Sequence, residues 1–452
     1  MIDFAPQLDE VLSTEICGSV VETVGMTASV ADLPVPLGAI VEIDRDNGGR
    51  IPAEVVGFRD QLTLVYPLRS MTGVRRGHRV RLHRTASRIP VGEALLGRVI
   101  NAEGRVIDGY GQPAAEERLA RERRAPSPVE RPRIDTPLST GIRAIDGLLT
   151  CGRGQRMGIF SGSGVGKSVT LGMMAKYTSA DVIVIGLVGE RGREVNEFLE
   201  RDLGPRGRAR SVVVVATSDE PALARVHAAS TATSVAEYFR DRGKDVLLLM
   251  DSLTRVAMAQ REIGLAAGEP PTTRGYPPSV FAMLPKLVER AGRTARGSIT
   301  GFYSVLVEGD DANEPISDAV RGLLDGHTWL SRKLASQGHY PAIDVLDSIS
   351  RLMPEVASPE QRQAATIVRE LLAAYRDHED LISIGAYRAG SNPTVDIALA
   401  MRDDIAQFLR QQVDEACQME TTQQALMALA HRTAAVSQQA AQVVAPAETT
   451  AT

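Results

Sequence analysis

Residues 161–168 have the types and the spacing that phosphate binding requires. They read Ser-Gly-Ser-Gly-Val-Gly-Lys-Ser, and they stand between a short apolar run and an apolar helical pattern. A strand, a glycine-rich turn and a helix in this order predict a loop whose backbone N–H groups surround phosphate oxygens at the positive end of the helix. The expected nucleotide-binding residues of this loop are Ser161, Gly162, Ser163, Gly164, Val165, Gly166, Lys167, Ser168 and Val169.

Two side chains at the end of this loop are suited to charge chemistry. Lys167 would reach the β- and γ-phosphates, and Ser168 would offer its hydroxyl to Mg²⁺. The usual pattern begins with glycine, whereas Ser161 stands there in this chain. Because the last five residues carry most of the phosphate and metal chemistry, we expect the substitution to be tolerated. The alternative, a Gly/Ser-rich turn that binds nothing, is disfavoured by Gly-Lys-Ser in this strand–helix context.

Asp251 has the form of a second nucleotide motif. It directly follows the apolar run Val-Leu-Leu-Leu-Met and lies about 80 residues beyond the loop. A carboxylate at such a strand end helps to hold Mg²⁺, either directly or through water. The alternative for an aspartate in this position is a helix cap.

Glu190 is the candidate for activating water. It follows another apolar run, in the segment Val-Gly-Glu-Arg-Gly-Arg-Glu. Hydrolysis needs a group that orients and partly deprotonates the attacking water, an effect of about 10²–10⁴-fold. The alternative is a surface carboxylate paired with Arg191 or Arg193.

The elements around these residues predict an α/β fold. From about residue 137, apolar runs alternate with helical patterns of ten or more residues, which is typical of βαβ units around a parallel sheet. In such a sheet, ligands bind beyond the carboxyl ends of the strands. Polar or acidic residues follow each run, so we expect them on the side of the phosphate loop. They are Glu190, Ser218 with Asp219, Asp251, and Glu308 with Asp310 and Asp311.

Four further regions flank or follow this domain, which we place at 137–354. Residues 1–88 read as short Val- and Ile-rich strands between turns, a pattern that predicts a small closed β-barrel. Residues 89–136 form a connecting segment whose charged, proline-containing part predicts an exposed linker. Residues 355–436 are helical, with Ser358-Pro359 as a helix start. Residues 437–452 lack periodicity and predict a disordered tail.

The composition sets limits on the function. The chain has 452 residues, of which 43% are apolar and 24% charged, as in an ordinary globular protein. The net charge of −5 and the 4% of aromatic residues argue against a nucleic-acid-binding protein. Three widely spaced cysteines indicate free thiols in a reducing compartment. Because the sequence lacks a secretory signal and a membrane-spanning run, we expect a cytoplasmic protein.

Several longer motifs carry a resemblance to a known family. The stretch from Thr140 to Ser168, the segment Met-Asp-Ser-Leu-Thr-Arg at 250–255 and the segment Gly-Glu-Pro-Pro-Thr-Thr-Arg-Gly-Tyr-Pro-Pro-Ser at 268–279 resemble the ATPase of flagellar and type III protein export. This family is itself similar to the catalytic subunits of rotary ATP synthases. The resemblance covers most of residues 90–355. It implies an N-terminal β-barrel, a RecA-like nucleotide core, a C-terminal helical domain and a homohexameric ring.

The resemblance also implies roles for individual residues. Glu190 matches the catalytic glutamate of the family, and its nucleotide and magnesium residues are matched by Lys167, Ser168 and Asp251. Arg351 matches an arginine finger that reaches the site of the neighbouring subunit, and Tyr340 matches an aromatic residue that packs against adenine. Composition alone does not select one arginine among so many.

The function that follows is hydrolysis of ATP with Mg²⁺ by a homohexamer that energises flagellar (type III) protein export. The alternatives are an injectisome ATPase, the catalytic subunit of a rotary ATP synthase and a hexameric RNA translocase. Ser-Leu-Thr-Arg after Asp251 favours the export form over the synthase, and the aromatic-poor barrel disfavours RNA. The segments 256–262 and 272–276 favour the flagellar members.

The resemblance further implies a set of partners. They are other copies of the chain, a regulatory stator-like protein, a stalk-like protein, the export gate and chaperone–substrate complexes, with no nucleic acid. The location implied is peripheral, at the inner face of the plasma membrane. The segment before the barrel is shorter than is usual in the family, which leaves open how the stator-like partner docks.

Overall fold

The computed structural model describes residues 15–307, 309, 311 and 314–444, with side chains to residue 439. Two of the acidic residues expected beyond the sheet, Glu308 and Asp310, lie outside these described residues. The described chain forms a barrel, a connecting segment, an α/β core and a helical C-terminal region in that order. The predicted fold class is therefore confirmed.

The N-terminal barrel is closed by six antiparallel strands in the order β1-β2-β5-β4-β3-β6. Its interior is filled by alternate Val, Ile and Ala side chains, because successive residues of a strand point to opposite faces. The strands are β1 (Cys17–Val24), β2 (Thr27–Ala31), β3 (Ile40–Asp44), β4 (Arg50–Arg59), β5 (Leu62–Pro67) and β6 (Arg79–Arg84).

The connecting segment is more ordered than a free linker. Its strands are β7 (Arg88–Val91), β8 (Val99–Ile100) and β9 (Glu117–Ala120); β7 and β9 pair with each other, and β8 extends the sheet of the core. Arg121 is buried, so the prediction of an exposed linker is wrong there. Its guanidinium pairs with Glu54 of the barrel at 3.0 Å, which replaces the water that the charge would otherwise need.

A nine-stranded sheet forms the core. Eight strands follow the order β19-β18-β12-β17-β15-β13-β14-β8, and short β16 pairs with β17. Seven of these strands are parallel to one another: β18, β12, β17, β15, β13, β14 and β8. Strands β19 and β16 are antiparallel to their neighbours. The remaining strands are β10 (Pro137–Leu138), β11 (Cys151–Gly152), β12 (Arg156–Ser161), β13 (Val182–Val188), β14 (Ser211–Ala216), β15 (Asp245–Asp251), β16 (Gly292–Arg293), β17 (Ser298–Leu306), β18 (Gly326–Leu330) and β19 (Ile343–Ser350).

Helices cover both faces of this sheet. Ile183 and Ile185 of β13 belong to one apolar cluster, and Val182 and Val184 to another, as expected for a strand buried on both faces. The helices of the core are α1 (Arg143–Leu148), α2 (Lys167–Tyr177), α3 (Gly192–Glu197), α4 (Gly204–Ala209), α5 (Ala222–Asp241), α6 (Leu253–Ala267), α7 (Pro278–Val288), α8 (Pro315–Leu323), α9 (Arg332–Ser336) and α10 (Met353–Val356).

The C-terminal region consists of three long helices, α11 (Pro359–Ser383), α12 (Pro393–Leu409) and α13 (Met419–Val444). The hydroxyl of Ser358 accepts a hydrogen bond from the backbone N–H of Gln361 at 3.2 Å, which is the predicted helix cap. Helix α13 continues through residues 437–444, where the sequence predicted a tail, because Ala and Gln favour the helix even without an apolar stripe. Residues 445–452 lie outside the described part. No helix within the described residues is long and apolar enough to span a bilayer.

Candidate functional site

The phosphate loop lies between β12 and α2, as the sequence predicts. Gly164 and Gly166 have φ values of 78° and 92°, a left-handed conformation that glycine adopts at little cost. Gly166 is the residue that precedes the first turn of α2, so the free N–H groups of that turn face the loop. The backbone is therefore shaped to receive an anion.

Ser161 ends strand β12 and is fully buried. Its carbonyl accepts a hydrogen bond from the N–H of Val307 at 3.0 Å, whereas its hydroxyl has no partner among the described residues. The side chain that replaces the usual glycine thus points into the protein. The structure places the more exposed residues Ser163 and Gly164 at the open side of the loop.

Three predicted charged residues meet at the carboxyl edge of the sheet. The Nζ of Lys167 hydrogen-bonds the Oδ1 of Asp251 and lies 3.5 Å from the Oε1 of Glu190. The side chains are only 12%, 4% and 15% exposed, respectively. Lys167 follows β12, Asp251 ends β15 and Glu190 follows β13. The three strands are parallel, so their carboxyl ends lie at the same edge of the sheet.

The shared burial of these groups changes their proton affinities. Burial raises the pKa of Glu190 to about 7; the charge of Lys167 opposes this shift, and the carboxylates of Asp251 and Glu194 add to it. For Lys167, burial alone would lower the pKa, but the carboxylates of Asp251 and Glu190 outweigh it and raise the pKa. Lysine therefore stays charged, and Glu190 can take up or release a proton near neutral pH.

The two alternatives for the acidic residues do not fit this geometry. Arg191 and Arg193, the proposed surface partners of Glu190, pair instead with Glu194 at 3.4 Å and with Glu197 at 2.8 Å. The cap of α6 is Ser252 rather than Asp251, since the hydroxyl of Ser252 accepts the hydrogen bond from the N–H of Arg255 at 3.3 Å.

Asp251 has an oxygen available for a metal ion. Its Oδ1 accepts hydrogen bonds from Lys167 and, at 2.6 Å, from the hydroxyl of Ser304 on β17. Its Oδ2 accepts none from the described residues. A buried carboxylate with one free oxygen suits Mg²⁺, which prefers oxygen ligands and is usually completed by phosphate oxygens and water. The other predicted ligand, Ser168, lies in the first turn of α2, directly after Lys167. Ser304 was not predicted from the sequence, because a buried serine within an apolar strand gives no local signal.

Arg255 is a second residue at the site that the sequence analysis did not single out. A Cβ built on Gly189 would lie 2.9 Å from the Cβ of Arg255, so the arginine packs directly against the backbone before Glu190. The Nε of Arg255 has no hydrogen-bond partner among the described residues. Arg255 therefore brings a guanidinium with an unpaired Nε to the residue pair Gly189–Glu190.

Tyr340 lines a cavity beside the phosphate loop. The cavity has a volume of about 400 Å³ and is bounded by Gly166, Thr170, Tyr340 and the segment Arg410–Val413. The Tyr340 ring is half exposed, and its carbons lie 3.5 Å from the position that a Cβ on Gly166 would occupy. The N–H of Gln411 donates to the carbonyl of Tyr340 at 3.0 Å. An aromatic face next to a phosphate loop is suited to stacking on a base.

Arg351 is not brought to the loop of its own chain. Ser161 is level with Leu330 on β18, and Gly326 at the other end of β18 is level with Ser350 on antiparallel β19. Arg351 directly follows Ser350 and therefore lies toward the amino-terminal ends of the parallel strands, whereas the loop is at their carboxyl ends. The two levels are four strand residues apart, or roughly 13 Å. It is exposed there, and its N–H donates to the carbonyl of Asp325 at 3.0 Å.

Comparisons with known proteins place this geometry among export ATPases. The family described as "ATP synthase alpha/beta family, nucleotide-binding domain" matches residues 141–350, and "T3SS EscN ATPase C-terminal domain" matches residues 357–428. The flagellum-specific ATP synthase of Bacillus subtilis is 51% identical over 414 residues, which cover 92% of this chain and 93% of that protein.

Two further relatives belong to secretion systems. The type 3 secretion system ATPase of Xanthomonas euvesicatoria is 49% identical over 431 residues, covering 93% of this chain and 98% of that protein. The assembled ATPase EscN from the enteropathogenic E. coli type III secretion system superposes with a TM-score of 0.86 at 44% identity, covering 91% of this chain and 100% of that one.

Proposed function

The chain belongs to the family of flagellum-specific and type III secretion ATPases, and from this premise we propose that it works as a homohexamer that hydrolyses ATP with Mg²⁺ to energise flagellar protein export. The observation that carries the proposal is the contact of Lys167 with both Asp251 and Glu190 beyond the phosphate loop. A lysine, a metal-binding carboxylate and a carboxylate of raised pKa are the groups that phosphoryl transfer to water requires.

The residues divide the chemistry among them. Lys167 exchanges its carboxylate partners for the phosphate oxygens of ATP, which releases the Oδ1 of Asp251. Ser168 and Asp251 would hold Mg²⁺, which would offset the charge of the phosphates. Glu190 loses its nearest cation in this exchange and accepts a proton from the attacking water. Its pKa of about 7 makes it a base of suitable strength at neutral pH.

Arg351 completes the site from a neighbouring subunit. Arg351 lies toward the amino-terminal ends of the parallel strands, away from the phosphate loop of its own chain. Because its side chain is exposed, it is free to reach the phosphate loop of a neighbouring subunit. The relative EscN has been described in an assembled form, which supports a ring for this chain. The positive charge would stabilise the negative charge that develops on the transferred phosphoryl group.

Tyr340 and the segment Arg410–Val413 bind the base. The ring of Tyr340 provides a stacking face, and the C-terminal segment closes the opposite side of the cavity. A site that is built jointly by the core and the C-terminal region also links nucleotide binding to the position of that region.

The relatives support one of the proposed partners directly. EscN is described in complex with its central stalk EscO, and we propose a corresponding stalk-like partner here. A regulatory stator-like protein, the export gate and chaperone–substrate complexes are the further partners, with the ring attached peripherally at the inner face of the plasma membrane. Flagellar and secretion relatives are equally similar, at 51% and 49% identity, so the flagellar choice depends on the segments 256–262 and 272–276.

Steady-state turnover of ATP tests the enzymatic part of the proposal. The wild-type chain is expected to hydrolyse ATP only with a divalent ion, and Lys167→Ala to lose this activity. Lys176→Ala, a half-buried lysine in the last turn of the same helix, is the matched control and keeps it. Restored motility in a bacterium that lacks its own flagellar ATPase tests the export role; restored injectisome secretion without motility would instead favour the alternative.

A further inference from the structure

A second cleft lies between the barrel and the connecting segment. Its volume is about 730 Å³, and none of residues 161–169 lines it. Among the nineteen described residues that line it, seven are arginines and two, Glu42 and Glu103, are acidic. The cleft is therefore strongly positive, although the whole chain has a net charge of −5.

Part of this positive charge has no partner among the described residues. Arg50 pairs with Glu42 at 3.0 Å. Four other lining arginines make no side-chain hydrogen bond or ion pair with the described residues: Arg69, Arg84, Arg105 and Arg118. Such a group of like charges repels itself unless an anion is present.

Arg121 anchors the same cleft from inside the protein. Its side chain is only 4% exposed, and one terminal nitrogen bonds both Glu54 at 3.0 Å and the Nε2 of His227 at 2.9 Å. Its Nε, by contrast, has no hydrogen-bond partner among the described residues. A buried donor without a partner is costly, so a ligand in the cleft that accepted from this nitrogen would remove that cost.

We propose that this cleft binds a phosphate-bearing small molecule. The planar fork of a guanidinium matches two phosphate oxygens, which makes a cluster of arginines a typical phosphate site. The volume lies within the range of small-molecule sites, about 300–1,000 Å³. Apolar residues such as Ile40, Pro52 and Leu68 also line the cleft and provide a surface for a non-polar portion. A ligand held here contacts both the barrel and the connecting segment, and so fixes the barrel on the core.

Calorimetric titration with pyrophosphate tests the site. The full chain with Lys167→Ala is used in Mg-free buffer of low salt, so that the phosphate loop is weakened. We expect saturable binding at one site per chain, and a dissociation constant raised about tenfold or more by adding Arg84→Ala and Arg118→Ala. The matched control is Arg76→Ala, an exposed arginine of the same barrel outside the cleft, which leaves the dissociation constant unchanged.

A parallel titration with guanosine diphosphate identifies the source of the phosphate. Tighter binding than that of pyrophosphate indicates a nucleotide, and equal binding indicates an inorganic polyphosphate; both support the site. Pyrophosphate is also expected to raise the melting temperature of the Lys167→Ala chain but not that of the chain with Arg84→Ala and Arg118→Ala. If the double substitution fails to fold, Arg84→Lys with Arg118→Lys keeps the charge, loses the fork, and is expected to weaken binding several-fold.

Three results would overturn the proposal. Absence of saturable binding would remove it. Equal weakening by Arg76→Ala would show a diffuse attraction to a basic surface. Unchanged binding in the chain with Arg84→Ala and Arg118→Ala, together with loss of ring assembly, would show instead that the cleft is an interface between copies of the chain.

Discussion

The Nζ of Lys167 lies 3.5 Å from the Oε1 of Glu190 while it hydrogen-bonds Asp251. Two carboxyl groups therefore share one cation. Under the proposed function, phosphate oxygens would take the lysine and free both acids together, so that Asp251 could hold a metal ion and Glu190 could accept a proton from water. Binding of the substrate thus prepares both groups for the reaction.

Glu190→Gln is expected to lower turnover by about 10²–10⁴-fold, because the amide cannot accept a proton from water. Binding of ATP and assembly remain, since the shape of the side chain is kept. Turnover and the affinity for a fluorescent ATP analogue measure the two effects. Glu197→Gln, on the exposed face of α3, serves as the control and keeps normal turnover. Near-normal turnover of Glu190→Gln would assign the base to another residue.

The pH dependence of kcat/KM follows from the same residue. Glu190 acts in its deprotonated form, and its pKa of about 7 is the value for the free enzyme. We therefore expect kcat/KM to rise about tenfold per pH unit below pH 7 and to level off above it, because the fraction of the base form rises in this way. The measurement covers pH 5.5 to 8.5. A profile that stays level through pH 6 would contradict the assignment.

Tyr340→Ala is expected to raise the KM for ATP by about 5- to 150-fold, the loss of one base–aromatic stacking contact of about 1–3 kcal/mol. Tyr340→Phe keeps the ring and is expected to keep the KM. The comparison of the two variants separates stacking from hydrogen bonding by the hydroxyl. An equal increase in both would show that the ring face is not what binds the base.

A buried ion pair joins α5 to the residues that follow α7. The Nε and Nη2 of Arg290 donate to the two carboxylate oxygens of Glu237, at 3.0 and 2.9 Å, and both side chains are buried. Arg290→Met is expected to lower the free energy of unfolding by about 3–5 kcal/mol, because it leaves a buried carboxylate without its main partner. Denaturant unfolding of Arg290→Met with Glu237→Met gives the control: this pair should recover much of the loss.

The sequence predicts those parts of the site that have a local pattern. The loop around Lys167, the strand-end position of Asp251 and the meeting of both with Glu190 follow from apolar runs and from the rule that parallel strands end at one edge. The wall at Arg410–Val413, by contrast, is joined to the loop only through long-range contacts, for which a single sequence has no periodicity or motif. Arg351 and Tyr340 were assigned from the family resemblance alone.

The same limit applies to buried charges. Arg121 stands in a charged, proline-containing stretch, so the local pattern predicts exposure. Its burial depends on Glu54 and His227, which are 67 and 106 residues away along the chain. In helix α13 the sequence predicted disorder after residue 436, where the apolar stripe ends, but the helix continues to residue 444. The helix preference of alanine and glutamine is sufficient there.

A mixing experiment tests most directly whether hydrolysis takes place between two copies of the chain. Arg351→Ala alone is expected to lower turnover by about 10³-fold or more while the isolated subunit keeps its nucleotide affinity, and Lys167→Ala alone is inactive. In a random equal mixture, about a quarter of the interfaces join an intact loop to an intact arginine, so turnover should return well above that of either variant. No recovery at any ratio, under conditions where mixed rings form, would contradict an arginine supplied by the neighbour.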